Sequence, residues 1–245
     1  MILIGNNKMA KIYAVSSGKG GVGKSTIALS LAVAAAKRGK RTILLDASGV
    51  SRSCDLALGM ESIVVLDLAD VCCQQTSLES TLYQVPQYEN LSFVCASLYD
   101  NVPIGEFNSV LLALHSLCDV IVIDFPTGET ALTDGVLNEN DCRLVVTTPD
   151  DASIRASERM MMRTVDGREQ KWLVVNRSVP AYVRKGIQYD AKTVEMTLDC
   201  MLAGCIPEDD SIAFAVPKGR FAIKSSGMAQ HALHQLANTL FCDIE

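Results

Sequence analysis

The chain's chemistry concentrates in a loop that reads Ser-Ser-Gly-Lys-Gly-Gly-Val-Gly-Lys-Ser-Thr, from Ser16 to Thr26. Gly18, Gly23, Lys24 and Ser25 spell G-x-x-x-x-G-K-S, the spacing of a phosphate-binding loop. Gly18, Gly20, Gly21 and Gly23 free the backbone N–H groups of the loop, with those of Lys19, Val22 and Thr26, to face phosphate oxygens. Lys24 is placed to reach the β- and γ-phosphates of a nucleotide, and the Ser25 hydroxyl to ligate magnesium. Two aspartates close apolar runs in the manner of metal-shell carboxylates: Asp46 after Ile43-Leu44-Leu45, and Asp124 after Val120-Ile121-Val122-Ile123. Either aspartate alone is also what a strand-end turn would carry. The loop holds a further cation, Lys19, which phosphate cradling by itself does not require.

These residues need a strand, a tight turn and a helix to position them. Ile12-Tyr13-Ala14-Val15 reads as a buried strand, and Ile27 to Ala36 as a helix closed by Lys37, Arg38 and Gly39. Further strands are expected at Thr42 to Leu45, Leu91 to Cys95, Val120 to Ile123, Leu144 to Thr147, Trp172 to Val175 and Leu202 to Ile206. Their alternation with amphipathic segments predicts a three-layer α/β fold, a mostly parallel sheet with helices on both faces. No linker or repeat divides the 245 residues, so one domain over 1–245 is expected, with Met1 to Lys8 as a short extension before a second possible start at Met9.

Composition narrows the function. At 49% hydrophobic residues the chain can bury a large core, and its net charge of −6 argues against bulk electrostatic binding of nucleic acid. No apolar run reaches the roughly 18 residues of a membrane span, and no signal peptide is visible. The nine cysteines form no C-x-x-C pair and sit mostly in apolar runs, which points to a reducing cytoplasm rather than to disulfides or an iron–sulfur site. His231 and His234 are read as solvated residues of a terminal helix.

"KGGVGKS", Lys19 to Ser25, is the deviant Walker A signature, and with it the chain resembles the MinD/ParA family of P-loop ATPases, most closely its MinD branch. The resemblance continues through "TILLDASGVSRSCDLALG" (42–59), "VIVIDFPTGE" (120–129), "VVTTPDDASIRASERM" (145–160), "VVNR" (174–177) and "LAGCIPED" (202–209). It implies an ATP- and Mg2+-dependent switch in which Lys19, Lys24, Asp46 and Asp124 serve hydrolysis, and Ser25, Asp46 and Asp124 the metal. Asn176 is implied to read adenine, Arg177 to contact the nucleotide, and the turn Pro207-Glu208-Asp209 to lie over the base. Lys19 is implied to cross an ATP-dependent homodimer to the partner's phosphates. Partners of MinC or MinE type, bacterial cytoplasmic localisation and attachment to the membrane through a partner follow from the same resemblance. The main reading is placement of the division site or a related positioning task. The alternatives are a ParA-like DNA segregation ATPase, for which Arg184-Lys185 and Lys218/Arg220 offer little basic surface, and a nucleotide-gated scaffold.

Three positions depart from the family. Ser48 stands where relatives carry a second aspartate, and a hydroxyl cannot act as an anionic base near neutral pH. Slow hydrolysis is therefore expected. Ala156 also replaces an aspartate frequent in relatives. The apolar stripe Leu233, Leu236, Ala237, Leu240 and Phe241 lacks flanking cations and precedes Asp243-Ile244-Glu245, so it is expected to pack on the domain rather than bind a membrane.

Overall fold

Alternation along the central strands builds two cores at once. In a computed structural model, which describes residues 9–49, 52–97, 104–128, 137–163, 168–215 and 227–242, strand β1 (Lys11–Ser17) sends Tyr13 and Val15 to one face of a sheet and Ile12 and Ala14 to the other. Strands β2 (Thr42–Asp46) and β5 (Val120–Thr127) do likewise, which is why both read as continuous apolar runs. The other strands are β3 (Tyr83–Gln84), β4 (Leu91–Val94), β6 (Cys142–Thr147), β7 (Gln170–Ser178) and β8 (Leu202–Pro207). They form one eight-stranded sheet in the order β3-β4-β2-β5-β1-β6-β7-β8, parallel except for β3.

β1 is flanked by β5 on one side and β6 on the other, so the strand order reverses at its carboxyl end, where crevices form in open α/β sheets. Helix α1 (Lys24–Lys37) starts there and runs across one face, buried from Ile27 to Ala36. Its run of alanines and leucine lets the helix sit close to the sheet. Helices α2 (Ser53–Leu58), α3 (Leu68–Cys72), α4 (Leu78–Thr81), α5 (Ile104–Leu114), α6 (Asp151–Arg163), α7 (Pro180–Arg184), α8 (Ala191–Leu198), α9 (Asp210–Ala215) and α10 (Met228–Leu240) complete the layers. α5 covers the opposite face with Phe107, Leu111 and Leu114, and α6 and α8 close the β7 side through Ile154, Val194 and Leu198.

Every strand expected from the sequence is present, most extended by one to five residues and β4 shorter by one. β3 was not anticipated. It is two residues long, too short for a periodic signal, and is fixed by side chains: the Tyr83 hydroxyl accepts from the Val65 and Leu66 N–H groups at 3.1 and 2.8 Å. β5 runs past the apolar stretch through Pro126, which pairing of Ser17 with Thr127 permits.

The terminal stripe is spent on the core. Leu236, Ala237, Leu240 and Phe241 are buried with Leu233 packed against them, and Leu236 lies over Gly204 of β8. Tyr13 ties the end of α10 down, donating to the Leu240 carbonyl at 2.8 Å and meeting the Phe241 ring edge-on at 5.0 Å. His231 and His234 are exposed. All nine cysteines are free, with Cys73 and Cys242 exposed. No helix among the described residues is long and apolar enough to cross a membrane. Met1–Lys8, Glu129, Lys218, Arg220 and Asp243–Glu245 lie outside the described residues.

Leu236→Ala is expected to cost about 2–5 kcal/mol of unfolding free energy, whereas Leu112→Ala, at an exposed position of α5, should cost less than about 0.5 kcal/mol. Urea denaturation of the two variants checks this. A small effect at Leu236 would mean that the stripe of α10 is not held on the domain.

Candidate functional site

The loop between β1 and α1 takes its shape from close contacts that admit only glycine. Gly21 and Gly23 have φ of 78° and 92°, a left-handed conformation that costs little only without a Cβ. A Cβ on Gly23 would also collide with the Asn176 carboxamide, and one on Gly18 with the Ala156 carbonyl of α6. The first turn of α1 has no side-chain cap, so its N–H groups face the concavity of the loop. Ser25 and Thr26 lie in that turn, half-buried.

Lys24 and Asp124 meet in the floor. The ammonium lies 3.0 Å from Asp124 Oδ1, with side chains only 8% and 0% exposed. Parallel pairing sets Asp46 beside Asp124 at the ends of β2 and β5, and the Ala47 N–H donates to the Asp124 carbonyl at 2.9 Å. Asp46 Oδ1 accepts from the Ser48 N–H at 2.9 Å and from the Ser48 hydroxyl at 2.6 Å. Asp46 Oδ2 is buried and has no hydrogen-bond partner among the described residues. Burial, and then the charge of Asp124, push the Asp46 carboxyl up to about 6. Cys54 of α2 lies against the same pair, its Sγ 3.7 Å from Asp124 Oδ2. Burial, followed by the two carboxylates, pushes its thiol well up.

Lys19 occupies the rim, where its ammonium reaches Asp150 Oδ1 at 3.4 Å with both side chains more than 40% exposed. Asp150 is itself held by the hydroxyls of Thr148 and Ser153, at 2.5 and 2.8 Å, and by the Ser153 N–H at 3.1 Å. On the far side of the loop Asn176 ends the buried part of β7 and donates from Nδ2 to the Val22 carbonyl at 2.7 Å. Arg177, in left-handed backbone at φ 59°, lies 3.7 Å from Glu208. The Glu208 N–H donates to the Ser178 carbonyl at 3.0 Å, and Pro207 pairs with Ser178. Asp209 accepts from the N–H and hydroxyl of Ser211 at 2.9 and 2.6 Å, at the start of α9.

The loop, Asp46 and Asp124 are thus in one place, and Asn176 touches the loop directly. Glu208 joins through Arg177, whereas Asp209 is engaged in its own turn. Sequence reasoning missed Asp150, Cys54 and Arg143. Arg143 is a buried cation behind the loop, pairing with Glu169 at 2.6 Å and donating to the Ser16 hydroxyl at 3.3 Å. A charge inside the apolar run Cys142 to Val146 could have drawn attention to it. Asp150 and Cys54 carried no local signal. Chemically, the floor offers a dication oxygen ligands, and the uncapped helix turn offers an anion N–H donors.

A profile of the ParA family, described as "NUBPL iron-transfer P-loop NTPase", matches residues 8–240. The chain is 32% identical to the septum site-determining protein MinD of Helicobacter pylori, over 95% of this chain and 91% of that one. The chain belongs to the ParA family of P-loop NTPases. Within the family its similarity is to MinD proteins: it is also 31% identical to Escherichia coli MinD, over 86% and 83% of the two chains. Among solved structures, MinD in the MinC:MinD cell division protein complex of Aquifex aeolicus superposes with a TM-score of 0.85 at 26% identity, over 96% of both chains. The fold is shared too with Pyrococcus horikoshii MinD, solved with Mg-ADP, at a TM-score of 0.81 and 23% identity over 96% and 98% of the two chains. ParA family ATPase from Chlorobium tepidum follows at 0.78.

The raised Asp46 value makes the site's stability depend on pH. The folded chain holds that proton more tightly than the unfolded chain, whose carboxyl titrates near 3.8. Asp46 therefore favours the fold most below that value, and the contribution is lost as pH rises through about 6. Without nucleotide, wild type should lose stability relative to Asp46→Asn between about pH 4 and pH 6, with a constant difference above about pH 7. Denaturation of both proteins across this range checks it. A difference that does not change with pH would refute it.

Proposed function

We propose that the chain is a MinD-like ATP-driven switch, folded as one ATPase domain over 1–245, that works in placing the cell-division site. Hydrolysis of ATP is the general activity of its family. The observation that carries the reading is the separation of two lysines in one loop. Lys24 is buried on Asp124 in the floor, and Lys19 is exposed at the rim in a pair that solvent weakens. One cation serves the chain's own nucleotide. The other is free to exchange Asp150 for the phosphates bound by a second copy.

In this reading the N–H groups of Gly18 to Thr26 hold the phosphates of ATP. Lys24 leaves Asp124 for the β- and γ-phosphates, which turns a costly buried ion pair into a contact with substrate. Ser25, Asp46 and Asp124 hold Mg2+, whose preference for oxygen ligands fits these groups and the unpartnered Asp46 Oδ2. When bound, Mg2+ neutralises charge on the β- and γ-phosphates. Asn176 and Arg177 face adenine, with Pro207, Glu208 and Asp209 beside it. The Asn176 amide offers both a donor and an acceptor once released from Val22.

Two copies then close face to face, each Lys19 reaching the partner's nucleotide. An isologous contact repeats the cation twice, and loss of the γ-phosphate removes the anion it holds. The assembled pair offers a surface for a partner of MinC type; the similar MinD of Aquifex aeolicus was solved in a MinC:MinD complex. The reading keeps the protein in the bacterial cytoplasm with membrane attachment through a partner; the apolar stripe of α10 lies in the core.

Turnover is slow. The Ser48 hydroxyl already donates to Asp46 at 2.6 Å, so it neither takes a proton from water nor turns freely toward it. Light scattering with sizing, alongside phosphate release, tests the cycle. ATP-Mg should give a dimer that persists while phosphate release stays near background, and ADP-Mg a monomer. Lys19→Ala should remain monomeric with ATP. A monomer with ATP in the wild type would overturn the switch. Ser48→Asp should raise turnover by about 10- to 100-fold, at or below the low end of what a positioned base supplies. An unchanged rate would mean that another group places the water.

A further inference from the structure

Cys54 has no part in the function proposed above, yet it stands where a thiol is hard to explain as filler. A buried cysteine normally behaves as a small apolar side chain among apolar neighbours. This one is 1% exposed, in the first turn of α2, and faces two carboxylates. Asp46, Cys54 and Asp124, all buried, each bring one potential ligand atom within 4.8 Å of the other two. Lys24 takes Asp124 Oδ1, and Ser48 takes Asp46 Oδ1. Asp124 Oδ2 faces the Cys54 sulfur at 3.7 Å. Asp46 Oδ2, on a side chain with no solvent exposure, has no hydrogen-bond partner among the described residues. Such an atom is costly to bury, and a cation is what would satisfy it.

We propose that Asp46, Cys54 and Asp124 form a site for a zinc-class divalent cation in the nucleotide-free chain. The donor set decides the class. Magnesium takes oxygen ligands in near-ideal octahedra and keeps several waters, so a sulfur ligand does not serve it. Zinc and its neighbours accept thiolate and carboxylate together in tetrahedral sites, and three protein ligands leave a fourth position for water or a phosphate oxygen. The charges also balance. Two carboxylates and a thiolate are offset by the dication and the ammonium of Lys24, which keeps its place on Asp124 Oδ1. As the metal–sulfur bond forms, the thiol proton passes to solvent, and nothing is oxidised or reduced. Competition between this cation and magnesium–ATP rests on the function proposed above. The site itself does not.

Cobalt(II) is the probe, because its thiolate complexes absorb in the near ultraviolet and its tetrahedral sites absorb in the visible. The full chain, reduced, stripped of metal by a chelator and free of nucleotide, is titrated with Co2+ and then with Zn2+. The expected result is one equivalent of cobalt with a charge-transfer band that zinc bleaches. Cys54→Ser and Asp46→Asn should lose the band and weaken binding by more than the about 10- to 100-fold that loss of a ligand's supporting partner costs. Cys54→Ala serves should the serine variant not fold, and circular dichroism establishes folding of each. No cobalt band in wild type, or a band that survives removal of the Cys54 thiol with the other cysteines intact, would overturn the proposal. Binding of a fluorescent ATP analogue with magnesium alone is measured on the wild type separately. Its failure would strike the nucleotide reading and leave the cobalt result standing.

Discussion

A lysine ammonium shielded from water beside a carboxylate is the constraint around which this molecule is built. Removing two such charges from solvent costs several kcal/mol per ion, about as much as a domain's whole margin of stability can bear, so the geometry must be held firmly. Lys24 and Asp124 keep their 3.0 Å contact because both come from rigid elements, the first turn of α1 and a central strand. The sheet order supplies the rest. With β1 between β5 and β6, the loop after β1 can only open over the ends of those strands.

The same arrangement crowds negative charge into the floor. Asp46 lies next to Asp124 by strand register, and burial adds to their repulsion, so the resting site holds more anion than Lys24 alone can settle. Ser48 and Cys54 lean on these carboxylates with neutral donors. A candidate site kept in this under-neutralised state is poised to accept cationic charge, and a structure optimised for stability alone would not retain it.

In the two proposals, selectivity among cations and control by a second copy are separable, the first set by the floor under the loop and the second by its rim. As proposed, the floor would distinguish ions through its ligand types, oxygen only or oxygen with sulfur. Under the proposed function the rim answers to a neighbouring protomer through Lys19, whose pairing with Asp150 is exposed enough to exchange. Behind both, the buried Arg143–Glu169 pair and its bond to Ser16 anchor the strand end from which the loop departs.

What the sequence determined by itself is local and periodic. The spacing from Gly18 to Ser25 specified the loop, since glycine conformation and helix-terminal N–H groups depend on neighbours in the chain. The apolar runs ending in Asp46 and Asp124 specified two central strands, because burial on both faces leaves a continuous hydrophobic signature. The stripe of α10 was legible for the same reason, through its 3.6-residue period and the absence of cations beside it. Which of these ends meet depends on long-range packing. Strand register put Asp46 against Asp124, and packing of α2 against the strand ends brought Cys54 to them. The contact of Lys19 with Asp150 spans 131 residues. No local pattern encodes such a distance, because it is set by how the sheet stacks its strands rather than by any residue's neighbours.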